Sequence, residues 1–181
     1  MSKKYFLVEP SLEYRESFLN LVMDYLRQKE DIYTDLYKPA LANFNRYVKK
    51  LLEHAMGIHL PEGEVPYSTY WLMDRYGKIY GNVRIRHHAL HVYGNIGYDI
   101  RPSKRGQGYG TIMLRLALEK AWELNLKRIK IACDQRNKAS IRVIEKNGGV
   151  FIEQVYDRKT RLFVNRYYID ITKNKEYEKQ R

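Results

Sequence analysis

Hydrophobic and polar positions alternate along this chain in blocks that change period. Tyr5-Phe6-Leu7-Val8 is a short apolar run closed by Pro10, and reads as a strand. Ser11 follows as a helix cap. Tyr14, Phe18, Leu21, Val22 and Tyr25 then recur at helical spacing and form one apolar face. The stretch from Asp31 to Pro39 breaks that pattern. A second helix is predicted from about Leu41 to Met56, with Phe44, Val48, Leu51, Leu52 and Ala55 in one stripe; Gly57 and Pro61-Glu62-Gly63 end it. Period two comes next. Thr69 to Met73 leads to a turn at Asp74–Gly77, Val83 and Ile85 alternate with Arg84 and Arg86 in a strand from Ile79, and Asn95 to Ile100 is a third strand, stopped by Pro102. A helix from about Gly108 to Leu124, a strand from Arg128 to Ala132 and a helix from about Asn137 to Asn147 follow, the last closed by Gly148-Gly149. Val150–Tyr156 and Leu162–Ile171 read as a hairpin through Asp157-Arg158-Lys159-Thr160. The order of elements predicts a mixed α/β domain without repeat or linker. Residues 1–172 are expected to form that single domain, with 173–181 as a charged tail.

Composition narrows the class. A chain of 181 residues with 44% hydrophobic and 30% charged side chains is globular rather than disordered. The single cysteine, Cys133, excludes an intramolecular disulfide framework and a cysteine-built zinc site. No apolar run follows the N-terminus and no window approaches a membrane span, so the expected compartment is the cytoplasm. Charge is more informative. Residues 1–100 hold 13 basic and 12 acidic side chains, whereas residues 101–181 hold 20 and 9, so nearly all of the net +12 sits in the second half. That half is expected to attract nucleic acid, anionic lipid or a phosphate-rich small molecule.

The densest signal runs from Ile100 to Thr111, IRPSKRGQGYGT. A strand ends, glycines alternate with other residues, and an amphipathic helix begins. Gly106, Gly108 and Gly110 let the backbone approach a ligand. The helix N-terminus adds free N–H groups and the positive end of its dipole, and Arg101, Lys104 and Arg105 add charge. Together these suggest a pyrophosphate cradle, although a solvated turn would share the features. The spacing is neither that of a Walker A loop nor G-x-G-x-x-G.

Arg105-x-x-Gly108-x-Gly110 resembles the Q/R-x-x-G-x-G/A signature of the GNAT superfamily of N-acetyltransferases. Ile100-x-Pro102 resembles the strand end before it. Asn137-Lys138-Ala139-Ser140 through Glu145-Lys146-Asn147-Gly148-Gly149 resembles the family's later helix. Arg84-x-Arg86-His87-His88 and the Gly97-Tyr98-x-Ile100-Arg101-Pro102 strand are most similar to a bacterial subgroup of predicted acetyltransferases. The resemblance implies a mixed, mostly antiparallel sheet flanked by helices, with acetyl-CoA held between two splayed parallel strands, here 95–100 and 128–132. It implies that the backbones of Tyr98, Asp99 and Ile100 pair with the pantetheine arm and that the Ile100 amide faces the thioester carbonyl. Arg105, Gly106, Gln107, Gly108, Tyr109, Gly110 and Thr111 would hold the pyrophosphate. Asn137 and Ser140 would lie near the sulfur.

Two departures from the family pattern matter. Its tyrosine acid would fall at Ile144, and its early-strand glutamate would fall near Gly94, which has no carboxylate. His87, His88, His91, Asp99, Asp134, Glu153 and Tyr156 are substitutes for proton transfer, of which His88 and Tyr156 are taken as catalytic candidates. His87-His88-x-x-His91 is a poor metal site, because adjacent strand residues point to opposite faces, and no metal is expected. The tyrosines, Tyr14 and Tyr25 among them, read mainly as core, and Cys133 has no paired histidine in its local sequence to activate it. The expected function is acetyl transfer from acetyl-CoA to a primary amine, with the first two helices and Gly57–Pro66 shaping the acceptor pocket. The alternative is a CoA-sensing or basic nucleic-acid-binding module on the same fold. Neither a membrane nor nucleic acid is the expected partner, and a homodimer is allowed for.

Overall fold

The computed structural model describes residues 4–173. Seven strands form one sheet in the order β1-β2-β3-β4-β5-β7-β6: β1 Tyr5–Val8, β2 Tyr67–Asp74, β3 Ile79–Leu90, β4 Gly94–Ile100, β5 Arg128–Asp134, β6 Val150–Asp157 and β7 Leu162–Asp170. Every neighbouring pair is antiparallel except β4 and β5, which run parallel. The helices are α1 Arg15–Arg27, α2 Asp31–Ala42, α3 Phe44–Ala55, α4 Tyr109–Glu123 and α5 Lys138–Lys146. Helices α1–α3 cover one face and α4 the other, with α5 packed on α4 and β5. Among the described residues no helix is long and apolar enough to cross a membrane. The part of the expected charged tail beyond Lys173 lies outside the described residues.

Two cores follow from this layering. Under α4, Leu72, Val83, Ile85, Ile96, Met113, Leu114 and Ile129 are buried together. Under α1–α3, Phe18, Leu21, Val22, Tyr25, Phe44 and Val48 pack on Trp71 and Met73, with Phe18 stacked on the Trp71 ring at 4.3 Å. Tyr14 is half-buried against that second core.

The structure corrects the reading of residues 31–56. Asp31 to Pro39 does not interrupt helix; it forms most of α2, with Pro39 inside. Pro39 lies in the last turn, where only one backbone bond is lost, and burial of Tyr37 and Ala40 on α1 outweighs that loss. The next helix starts at Phe44 rather than Leu41, because the Asn43 side chain accepts the Arg46 N–H at 2.9 Å and caps it. Its buried stripe takes Tyr47 and His54 and leaves Leu52 exposed. Strand β3 also continues four residues past Arg86, carrying His87 and His88 out along a hairpin.

Candidate active site

The parallel pair β4/β5 is joined only at its base. Gly94 and Ile96 both pair with Ile131, and beyond that point β5 continues against β7 alone. Asn95 fastens the base: its Oδ1 accepts the Lys130 N–H at 3.0 Å and its Nδ2 donates to the Arg86 carbonyl at 3.3 Å. Gly94 is required there. It sits at φ +69°, and a Cβ would fall 2.2 Å from the Lys130 carbonyl oxygen. From Gly97 to Ile100, β4 therefore has β3 on one side and a gap on the other. Hydrogen-bonding direction alternates along an antiparallel pair. The Arg101 N–H donates to the Tyr80 carbonyl at 3.0 Å, so Asp99 and Gly97 also turn their backbone groups toward β3, and Tyr98 and Ile100 turn theirs into the gap. This corrects the expectation for Asp99, whose backbone faces Asn82.

The chain then turns through Pro102–Lys104 into the glycine loop. Arg101 does not reach the loop's ligand side. It is buried, ion-paired to Asp24 at 2.9 Å, and donates to the Ile79 and Asn20 carbonyls. Ser103 adds its N–H and hydroxyl to the same Asp24 oxygen at 3.1 and 2.6 Å. Burial pushes the Asp24 carboxyl up, but the Ser103 hydroxyl and the Arg101 guanidinium outweigh it and hold the group below its usual range. Arg101 is thus a tie between α1 and the loop. Arg105 donates from Nε to the Ile100 carbonyl at 2.9 Å and grips Glu30 with both terminal nitrogens at 2.6 and 2.8 Å, over the rings of Tyr25 and Tyr33. Gly106 and Gly108 have φ +71° and +86°, with no atom within 4 Å of where a Cβ would stand. Gly108 starts α4 without any side-chain cap, so the first N–H groups of the helix are unclaimed donors facing open space. Gln107 is exposed and reaches the Ser103 carbonyl at 3.3 Å. Tyr109 packs back on Tyr80, with ring centroids 4.4 Å apart. Gly110 lets α5 close in, since a Cβ would meet Val143 at 3.1 Å. Thr111 is half-buried, and its carbonyl accepts from Asn147 at 3.3 Å.

Helix α5 faces the same gap. Asn137 caps it by accepting the Ser140 N–H at 3.0 Å, and the Ser140 hydroxyl lies 2.8 Å from the Tyr98 hydroxyl. Burial pushes Tyr98 up to about 12, keeping its hydroxyl protonated. Burial likewise pushes the Cys133 thiol up to about 11, which leaves it a poor nucleophile at neutral pH. Ile144 is fully buried.

The structure does not gather the expected proton-transfer candidates here. His88 and His91 are exposed at the far end of the β3–β4 hairpin, roughly 20 Å of strand from Ile100. His87 is bound to Ser68 at 3.0 Å. Tyr156 is exposed on edge strand β6 against Phe163. Glu153 pairs with Arg166 and Asp134 with Arg136. Among the described residues no group of three or more His, Cys, Asp or Glu is placed to hold a metal ion.

On the other face of β4, sequence reasoning named Asp99 but missed what surrounds it. The Asp99 carboxyl is buried and accepts the hydroxyls of Tyr25 from α1 and Tyr37 from α2. Burial pushes its pKa up, and the two hydroxyls, Arg84 and Arg105 only partly pull it back. The Arg84 charge bears on Asp99 and also on Tyr33, Tyr47 and Tyr67, acting to lower the pKa of each. The available signals were the four-residue spacing of Tyr33 and Tyr37 and the alternation of Arg84 and Arg86 with Val83 and Ile85.

Residues 19–150 match the family model described as acetyltransferase (GNAT) domain. This chain belongs to the GNAT acetyltransferase family. No curated protein sequence matches it. Among solved structures, this GNAT chain is similar to RimL, a ribosomal L7/L12 alpha-N-protein acetyltransferase in complex with coenzyme A. The identity is 18%, the match covers 94% of this chain and 96% of that one, and the TM-score is 0.71. It is also similar to the microcin C7 self-immunity acetyltransferase MccE in complex with acetyl-CoA and AMP, at 17% identity, 94% of both chains and TM-score 0.67. A chimera of spermidine N-acetyltransferase SpeG from Vibrio cholerae and hSSAT follows at 16% identity, 98% and 99% coverage and TM-score 0.59. At these identities the likeness is one of fold, and that fold is the mixed, mostly antiparallel sheet with one splayed parallel pair.

Proposed function

We propose that this GNAT acetyltransferase takes its acetyl group from acetyl-CoA and passes it to a primary amine of a small molecule, amino acid or peptide. The observation that carries this reading is the open inner edge of β4, which leads directly to the uncapped, glycine-opened start of α4. Those two features offer backbone partners for an extended arm and N–H donors for a pyrophosphate at its end. The similar RimL and MccE structures hold coenzyme A and acetyl-CoA, which supports the same donor here.

In this reading the N–H groups from Gly106 to Thr111 bind the pyrophosphate, and Arg105 adds charge once it leaves Glu30. Tyr98 and Ile100 pair with the arm through their backbones. One of their two amides donates to the thioester carbonyl and stabilises the oxyanion formed when the neutral amine attacks from the α1–α3 side. The C–S bond then breaks. The Tyr98 hydroxyl, backed by Ser140 at 2.8 Å, protonates the departing thiolate and replaces the acid missing at Ile144. The proton lost by the attacking amine leaves through water.

The test is CoA release, read with a thiol-reactive dye, across polyamines, aminoglycosides, amino acids and short peptides, beside calorimetry with acetyl-CoA. Turnover with one class is the expected result. Binding without turnover across the whole panel would favour the CoA-sensing alternative. A folded Arg105→Gln protein that binds acetyl-CoA as tightly as the parent would sink the loop assignment.

A further inference from the structure

Among the described residues, Arg84 is the one arginine on this face of the sheet without a counterpart. Arg86 is paired to Glu64 at 3.2 Å and Arg101 to Asp24 at 2.9 Å. Among the described residues, no hydrogen bond or ion pair engages Arg84, and its Nε is shut off from solvent without a partner. The Arg84 side chain is half-buried, and a cation held this far inside a protein is ordinarily paired. Asp99 is not that partner. It lies diagonally across the strand pair, and its carboxyl is claimed by Tyr25 and Tyr37.

Further unsatisfied groups lie on this face of the sheet and in the helices that cover it. Thr69, directly opposite it on β2, has a buried hydroxyl without a partner, and so have Asn82 at its Oδ1, Thr34 in α2 and His54 at its Nε2 in α3. Strand alternation puts Thr69, Asn82 and Arg84 on the face toward α1–α3. On β4, the residue paired with Arg84 is Gly97, which contributes no side chain there. Nothing but the end of the Arg86 guanidinium comes within 4 Å of where its Cβ would be, at 3.8 Å. The sheet is therefore thin between Arg84 and the backbone of Tyr98, where the gap opens.

We propose that Arg84 is the anchor of the acceptor subsite, and that the acceptor is a primary amine carrying a carboxylate within a few bonds of the amine, as in a free amino acid. The inference rests on the acetyltransferase reading and names its substrate class. A guanidinium presents its N–H groups as a fork that matches a carboxylate in two parallel bonds. Arg84 is one residue along and one strand over from Tyr98, which places a bound carboxylate a few ångströms from the thioester position. An amine a few bonds away then faces the gap. The hydroxyl of Thr69, opposite Arg84, supplies a further partner for the acceptor's polar atoms.

The experiment compares each free L-amino acid with its own carboxamide and its decarboxylated amine, using CoA release, while acetyl-CoA binding is followed by calorimetry. At least one free amino acid is expected to exceed both derivatives in kcat/KM by roughly 100-fold. Arg84→Met is expected to abolish that preference mainly by raising the amino acid KM, with acetyl-CoA affinity unchanged. Arg84→Lys, which keeps the charge but not the fork, is expected to recover part of it. Thermal melts of both variants establish that they fold. Carboxamides or decarboxylated amines that react as well as the parent acids would overturn the inference, as would an Arg84→Met protein with an unchanged KM. Silence with every free amino acid in a protein that binds acetyl-CoA would overturn it as well, while leaving the donor site standing. Loss of acetyl-CoA binding by the folded parent would instead bring down the acetyltransferase reading on which it rests.

Discussion

Toward α4, strands β2 to β4 present Tyr70, Leu72, Val83, Ile85, Ile96 and Ile100; toward α1–α3 the same strands present Thr69, Asn82, Arg84, Arg86 and Asp99 beside the apolar Trp71, Met73 and Ile79. The period of two forces this sorting, because each residue faces opposite to its neighbour. One face closes as an ordinary apolar core and, in the proposed function, leaves recognition to backbone groups at the end of β4 and the start of α4. The other face buries polar side chains drawn from α1, α2, α3, β2, β3 and β4. Backbone recognition needs glycines at fixed spacing, which can be varied little. Side-chain recognition can be rewritten residue by residue, which suits the acceptor half of the proposed site.

The comparison can be broken at the point where the two faces meet. Gly94→Ala adds a Cβ against the Lys130 carbonyl at a positive φ. It is expected to cost roughly 3 kcal/mol or more and to remove donor binding, measured by urea unfolding and calorimetry. A loss under 1 kcal/mol would mean that the base of the β4/β5 pair is not as tight as drawn.

Asp24→Ala cuts the tie that carries the loop on α1. It leaves the Arg101 guanidinium buried and unpaired, at a cost of about 3 kcal/mol. This carboxyl and Asp99 should respond to acid in opposite senses. The Asp24 pKa is lowered on folding, so its contribution is fully present above the ordinary value of 3.8 and is lost as pH falls through the folded value. The Asp99 pKa is raised, so its burial subtracts stability as pH climbs from 3.8 toward the folded value. Unfolding free energies measured from pH 3 upward should therefore show Asp24→Asn flattening the acid limb and Asp99→Asn steepening the net rise. Parallel curves for the two variants would show that neither carboxyl is held as described.

Tyr98→Phe tests the α4 and α5 side alone. It is expected to lower kcat by about 10- to 100-fold with little change in acetyl-CoA affinity, and an unchanged kcat would remove Tyr98 as the acid. Glu30→Ala should have the smallest effect. The Glu30–Arg105 pair is partly exposed, so stability should move by about 1 kcal/mol or less. Acetyl-CoA should bind somewhat more tightly, because Arg105 no longer has to leave a carboxylate. Weaker binding would show that Glu30 positions Arg105 rather than competing for it.

Most of the elements were legible from hydrophobic period alone, since strands and amphipathic helices write their own alternation. The glycine loop and the capped α5 were legible for a related reason: positive φ, close approach and capping each demand particular residues at particular spacings. Residues 31–42 were not, because Pro39 and the polar positions around it signal a break, and only the burial of Tyr37 against α1 makes a helix worth its missing bond. Nor could the sequence say which of many tyrosines would meet Asp99, or that Arg101 would be tied to Asp24 while Arg84 stood unpaired. Local pattern determined most of the strands and helices and the glycine loop, because those depend on neighbours in the chain. Tertiary packing decided the polar cluster beneath α1–α3, because Tyr25, Tyr37, Arg84 and Asp99 come together only when the helices fold down onto the middle of the sheet.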